Sequence, residues 1–88
     1  MKSKEEPHFA AEIHWDEGKS IRGVVQRLPE NAFHFVTDRG ETFDGLPDGG
    51  ASLKVTTGPM GMAERYMILA CRPSMFSNAR NLTVQKAD

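Results

Sequence analysis

Between residues 9 and 15, Phe9, Ala11, Ile13 and Trp15 alternate with Ala10, Glu12 and His14. Successive side chains on an extended chain point to opposite faces, so this period of two predicts a strand with one face buried. Asp16-Glu17-Gly18-Lys19 supplies turn residues, and residues 20–28 resume with apolar and β-branched side chains, which predicts a hairpin. Adjacent Val24 and Val25 beside Gly23 break the alternation and predict a bulge that bends the second strand.

Pro29-Glu30-Asn31 interrupts the pattern, because proline lacks a backbone donor and asparagine accepts turn geometry. A third strand is expected over 32–37, with Phe33 and Phe35 on one face and His34 and Val36 on the other. A short strand is expected over 41–44, followed by the turn-forming run Gly45-Leu46-Pro47-Asp48-Gly49-Gly50. Leu53, Val55 and Thr57 then alternate with Ser52, Lys54 and Thr56. After a loop over 57–63, residues 66–71 are apolar at both parities, which predicts a strand covered on both faces. Pro73 ends it, residues 74–81 read as irregular, and a short strand closes the chain over 82–85. Short strands separated by turn signals at this spacing predict an all-β fold, a small six- or seven-stranded antiparallel barrel.

Length and charge narrow the picture. At 88 residues the chain builds one core, burying about 60–65% of the surface its unfolded form exposes. Residues 1–8, charged and carrying Pro7, read as a flexible lead-in to a single domain over 9–88. Eleven Lys and Arg against twelve Asp and Glu give a net charge of −1, so no global field draws the chain to phosphate backbones or anionic lipid. No apolar stretch follows the charged N-terminus, so neither a secretory signal nor a membrane anchor is expected. Cys71, the one cysteine, has no partner for an internal disulfide, and the cytoplasm is the expected compartment.

Candidate chemistry is sparse. His8, His14, His34 and Cys71 are the soft metal donors, and none stands in a pair at zinc-site spacing, so no metal or cofactor is expected. The serines sit in no elbow motif, and Asp16, Glu17, Asp38 and Asp48 fall in turns where they solvate the surface, so no catalytic residues are assigned. Gly58 and Gly61 have the spacing of a nucleic-acid clamp loop, but Pro59 and Met60 stand where that loop is basic. Met60, Met62, Met75 and Phe76 lie in or beside irregular segments, where soft apolar side chains adapt to a protein partner; the competing reading is that they close an end of the barrel.

The run Arg27-Leu28-Pro29-Glu30-Asn31-Ala32-Phe33-His34-Phe35-Val36-Thr37, with Leu46-Pro47-Asp48-Gly49-Gly50 and the Leu53 and Val55 that follow, resembles the PilZ family over residues 20–55. That resemblance implies a bacterial β-barrel, and for typical members binding of cyclic di-GMP. The family's turn carries Asp or Asn, then Ser, then Gly, where this chain has Arg27, Pro29 and Ala32. Its pair of arginines before the first strand falls near Lys4 and His8. A guanidinium makes bidentate contacts to guanine and phosphate that an ammonium or imidazole does not reproduce. The resemblance therefore implies a degenerate member in which cyclic di-GMP binding is weak or absent; Lys4, His8, Arg22, Arg27 and Asn31 are the candidate ligand-binding residues. A non-catalytic domain acting through protein contacts is the leading expectation. An altered nucleotide or nucleic-acid binder with Arg22, Arg27 and Arg39 on one rim is a second, and a small inhibitor or antitoxin-like partner a third.

Overall fold

The structure is a computed structural model and describes residues 8–57, 62–75 and 78–87. Six strands form: β1 (His8–Trp15), β2 (Lys19–Leu28), β3 (Ala32–Thr37), β4 (Ser52–Thr57), β5 (Met62–Pro73) and β6 (Ala79–Lys86). They close into an antiparallel barrel in the order β1-β2-β3-β6-β5-β4, with β4 pairing back onto β1. The all-β antiparallel barrel expected from the alternation is the architecture found. In a ring of six each strand faces one other across the lumen, so β1 stands opposite β6, β2 opposite β5 and β3 opposite β4.

The period-two pattern sets which side chains point in. Ile13, Ile21, Val25, Phe35, Leu53, Val55, Ile68, Leu82 and Val84 are fully buried and fill the lumen. Each buried Leu, Ile, Val or Phe contributes about 1.5–3 kcal/mol relative to leaving it in water. Closure gives every strand a paired neighbour on each side, so the barrel has no edge strand of the kind that adds another chain.

The expected bulge at Val24 and Val25 does not form. β2 pairs with β1 in unbroken register from His8 opposite Gln26 to Trp15 opposite Lys19. Ile21, Gly23 and Val25 alternate inward, and Val24 points out. Gly23 simply takes an inward position: a Cβ there would lie 2.1 Å from the Val36 carbonyl oxygen and 2.9 Å from Phe35 Cζ. The irregularity falls in β5 instead, between Ile68 and Ala70. There the Gly50 N–H donates to Ile68 O and the Ile68 N–H donates to Ala51 O, both at 2.8 Å.

Residues 41–44 are not a strand. β3 and β4 lie on opposite walls, so their connection must cross the end of the barrel, and closure leaves no free ladder for it to join. Phe43 and Leu46 pack from that loop onto the core, with the Phe43 ring edge-on to Phe35 at a centroid distance of 6.2 Å. β1 begins at His8 rather than Phe9, β5 runs through to Pro73, and β6 begins at Ala79 rather than Leu82. The early start of β6 is hidden because Arg80, opposite Phe35, holds an inward register position.

Candidate functional site

The residues expected to bind a ligand do not assemble into one site. Arg22 and Arg27 are five residues apart on β2, an odd spacing that puts them on opposite faces, and Arg39 follows β3 at the Arg22 end. The single rim of Arg22, Arg27 and Arg39 is thereby corrected. His8 is exposed at the start of β1 opposite Gln26. Asn31 is exposed in the turn after β2 with a φ of 58°, beside Glu30 at 62°, and its carbonyl accepts the Val84 N–H. Lys4 lies outside the described residues.

Arg27 continues the inward side of β2 past Val25 to the mouth of the barrel. Its guanidinium lies 5.7 Å from the Phe9 ring centre and 5.6 Å from that of Phe33. Its Nη2 donates to Glu64 Oε1 at 2.6 Å, and the Tyr66 hydroxyl donates to the same oxygen at 2.5 Å. Glu64 and Tyr66 stand on β5, the strand opposite β2, so this bridge spans the mouth. The Tyr66 hydrogen bond, opposed by burial and aided by the hydrogen bond and charge of Arg27, holds the Glu64 carboxyl below its ordinary value. Burial, helped by the bond to Glu64, pushes the Tyr66 phenol up. A guanidinium committed to two rings and a carboxylate is a structural closure rather than a free nucleotide contact.

The other end is closed by a second inward arginine. Arg80 lays its guanidinium 4.6 Å from the Phe43 ring centre, and among the described residues its buried Nε has no hydrogen-bond partner. Trp15 Nε1 is likewise buried and unpartnered at this end.

Outside the barrel, a shallow groove of about 220 Å³ runs between Arg22, Glu12 and Lys54 over the small residue Ala10. Lys54, Glu12 and Arg22 are direct cross-strand neighbours on β4, β1 and β2. Alternating signs in such a row are what cross-strand pairing favours.

The outer face of β5 is different. Met67 and Leu69 are each 50% exposed and project from the same face two residues apart. Met67 sits between Ser52 of β4 and Gln85 of β6. Beside Leu69 a depression of about 400 Å³ is lined by Asp48, Gly49, Ala70, Cys71, Arg72 and Pro73. Burial pushes the Cys71 thiol up, which makes it a poor nucleophile there. The expectation that residues 66–71 are covered on both faces fails on Met67 and Leu69. These two residues were missed because an apolar run at both parities reads as a sandwiched strand, whereas among the described residues no element packs outside β5.

Of the methionines and phenylalanine expected to meet a partner, Met75 is 86% exposed just beyond β5. Met62 opens β5 at the opposite end of that twelve-residue strand. Met60 and Phe76 lie outside the described residues. Among the described residues no three His, Cys, Asp or Glu side chains converge as metal ligands, and no helix is long and apolar enough to cross a membrane. Set against known proteins, the chain matches no family model, no curated protein and no solved structure.

Proposed function

We propose that this chain is a non-catalytic, PilZ-like binding domain that acts through protein contacts and does not hold cyclic di-GMP. The observation that carries the reading is the uncovered apolar surface of Met67 and Leu69 on β5, extended past the strand by Met75. Apolar side chains gathered on one strand face of a small domain mark a recognition surface more often than scattered single residues do. The engagement of Arg27 by Glu64, Phe9 and Phe33 supports the absence of nucleotide binding, since the guanidinium nearest the family's turn is already occupied.

Two measurements test this. Titration calorimetry with cyclic di-GMP is expected to give no heat of binding, and micromolar or tighter binding overturns that half of the reading. Affinity capture from cells with the full chain, compared against Met67→Asp/Leu69→Asp, is expected to lose a specific protein with the double variant. A partner retained equally by both chains overturns the assignment of the surface.

A further inference from the structure

The surroundings of Met67 and Leu69 say more about what covers them. The outward residues of the three adjacent strands are Ser52, Lys54 and Thr56 on β4, Ala63, Arg65, Met67, Leu69, Ala70 and Arg72 on β5, and Asn81, Thr83 and Gln85 on β6. None is acidic. Arg65 and Lys54 stand directly opposite each other in the ladder, a like-charge pair that costs stability. Among the described residues, neither Lys54, Arg65 nor Arg72 lies within ion-pair distance of a carboxylate, while Glu12, the acid nearest in register, bonds His14 instead. One carboxylate, Asp48, borders the patch across the depression from Leu69.

We infer that this face docks a short acidic segment of a partner protein, in which carboxylates flank an aliphatic or aromatic side chain seated beside Met67 and Leu69. The inference rests on the protein-contact reading above and adds the chemistry of the partner. Carboxylates at the rim would relieve the repulsion between Lys54 and Arg65 and meet Arg72 at the far side, with the apolar contact in the centre. A second copy of this chain fits badly, because a two-fold contact would bring the same three cations face to face. A bilayer also fits badly, since half-covered side chains lying in a sheet do not reach the depth that interfacial anchors occupy. Three strands at about 4.8 Å and seven residue steps at about 3.3 Å give a platform of roughly 15 by 23 Å, the footprint of a peptide and well short of a standard globular interface. The partner cannot join as an added strand because the ring is closed, so recognition runs through side chains.

The test is selection of short random peptides on the immobilised full chain, followed by titration of the winners against three folded variants. Met67→Asp/Leu69→Asp removes the apolar centre, Arg65→Glu/Arg72→Glu reverses the rim, and Val24→Asp is a control on the opposite wall. Circular dichroism checks that each variant folds. Selected peptides are expected to combine Asp or Glu with a large apolar residue, to weaken with added salt, and to lose roughly tenfold or more in affinity on rim reversal while ignoring Val24→Asp. Peptides that need Met67 and Leu69 but are neither acidic nor sensitive to rim reversal would overturn this inference and leave the protein-contact reading standing. Failure to recover any peptide dependent on this face overturns both. So does preferential binding through it of phosphatidylserine vesicles or a poly(dT) oligonucleotide, and dimerisation abolished by Met67→Asp/Leu69→Asp replaces the partner with a second copy.

Discussion

Gly23→Ala puts one methyl group where two strands meet. The added Cβ would stand 2.1 Å from Val36 O, 2.9 Å from Thr37 Cα and 2.9 Å from Phe35 Cζ. Two of these three are backbone atoms of β3, paired to β2 in register from Gly23 to Leu28, so the strain cannot be shed by turning one side chain. Overpacking a rigid site costs about 1–3 kcal/mol, and contact this short against backbone places the variant at about 3 kcal/mol or above. The loss of glycine's freedom in the unfolded chain offsets only about 0.4–1 kcal/mol. For a domain of this size about 3 kcal/mol lowers Tm by roughly 12–24 °C. Urea and thermal unfolding followed by the fluorescence of Trp15, the one tryptophan, measure it. Adding Phe35→Leu is expected to leave the loss in place, because the nearest atom belongs to the Val36 carbonyl. A Gly23→Ala domain within about 1 kcal/mol of the parent, or one rescued by Phe35→Leu, would refute the packing.

The bridge at the mouth sets a pH dependence. Glu64 is held below its ordinary 4.5, so its contribution is present above about that pH and is lost as pH falls through the lowered folded value. Tyr66 is raised above 10.0, so its contribution is present below that pH and fades as pH rises toward the folded value. Urea midpoints across pH should show Glu64→Gln flattening the acid limb, and an unchanged acid limb would remove Glu64 from the bridge. At the β2 to β3 turn, Glu30 with φ at 62° bears the strain a left-handed backbone imposes on an L residue, about 1–2 kcal/mol. Glu30→Gly is expected to raise stability by up to about 1 kcal/mol after glycine's own entropy cost, and Asn31→Val to lower it by about 1–2 kcal/mol; urea midpoints of the two variants are expected to move in opposite directions.

The barrel was legible wherever strand parity coincided with burial. Ile13, Phe33, Phe35, Leu53 and Val55 lie inward as their alternation implies. The strands misjudged are those in which another requirement overrides hydropathy. Position 23 is inward by strand parity and holds glycine because β3 lies too close for a side chain, so a position without hydropathy interrupts an apolar row. Phe43 is apolar at a site that looks like a strand, yet it belongs to a loop whose task, crossing from one wall to the opposite one, follows from ring order and not from local residues.

The two arginines at the mouths explain why the candidate site was harder to read than the fold. Sequence reasoning treats an arginine as a surface group or a ligand contact, but Arg27 and Arg80 occupy inward register positions at opposite ends and lie against aromatic rings, where a flat, weakly hydrated cation can cap apolar contents while one edge reaches a polar partner or water. With these cations drawn to the ends, those left on the walls are Arg22 and Lys54 beside Glu12, and Arg65 and Arg72 around Met67 and Leu69. The last group stands out because Leu69 is the residue that the β5 irregularity leaves without a cross-strand partner. That irregularity accompanies the bonds from the Gly50 N–H to Ile68 O and from the Ile68 N–H to Ala51 O, and the close approach of Gly49 to the Leu69 carbonyl, where a Cβ would come within 2.7 Å. Leu69 faces out with Met67 by simple alternation, but the shift after it, which brings Cys71 rather than Ala70 inward opposite Leu82, accompanies a loop contact nearly twenty residues away in sequence that no periodicity within residues 66–71 carries.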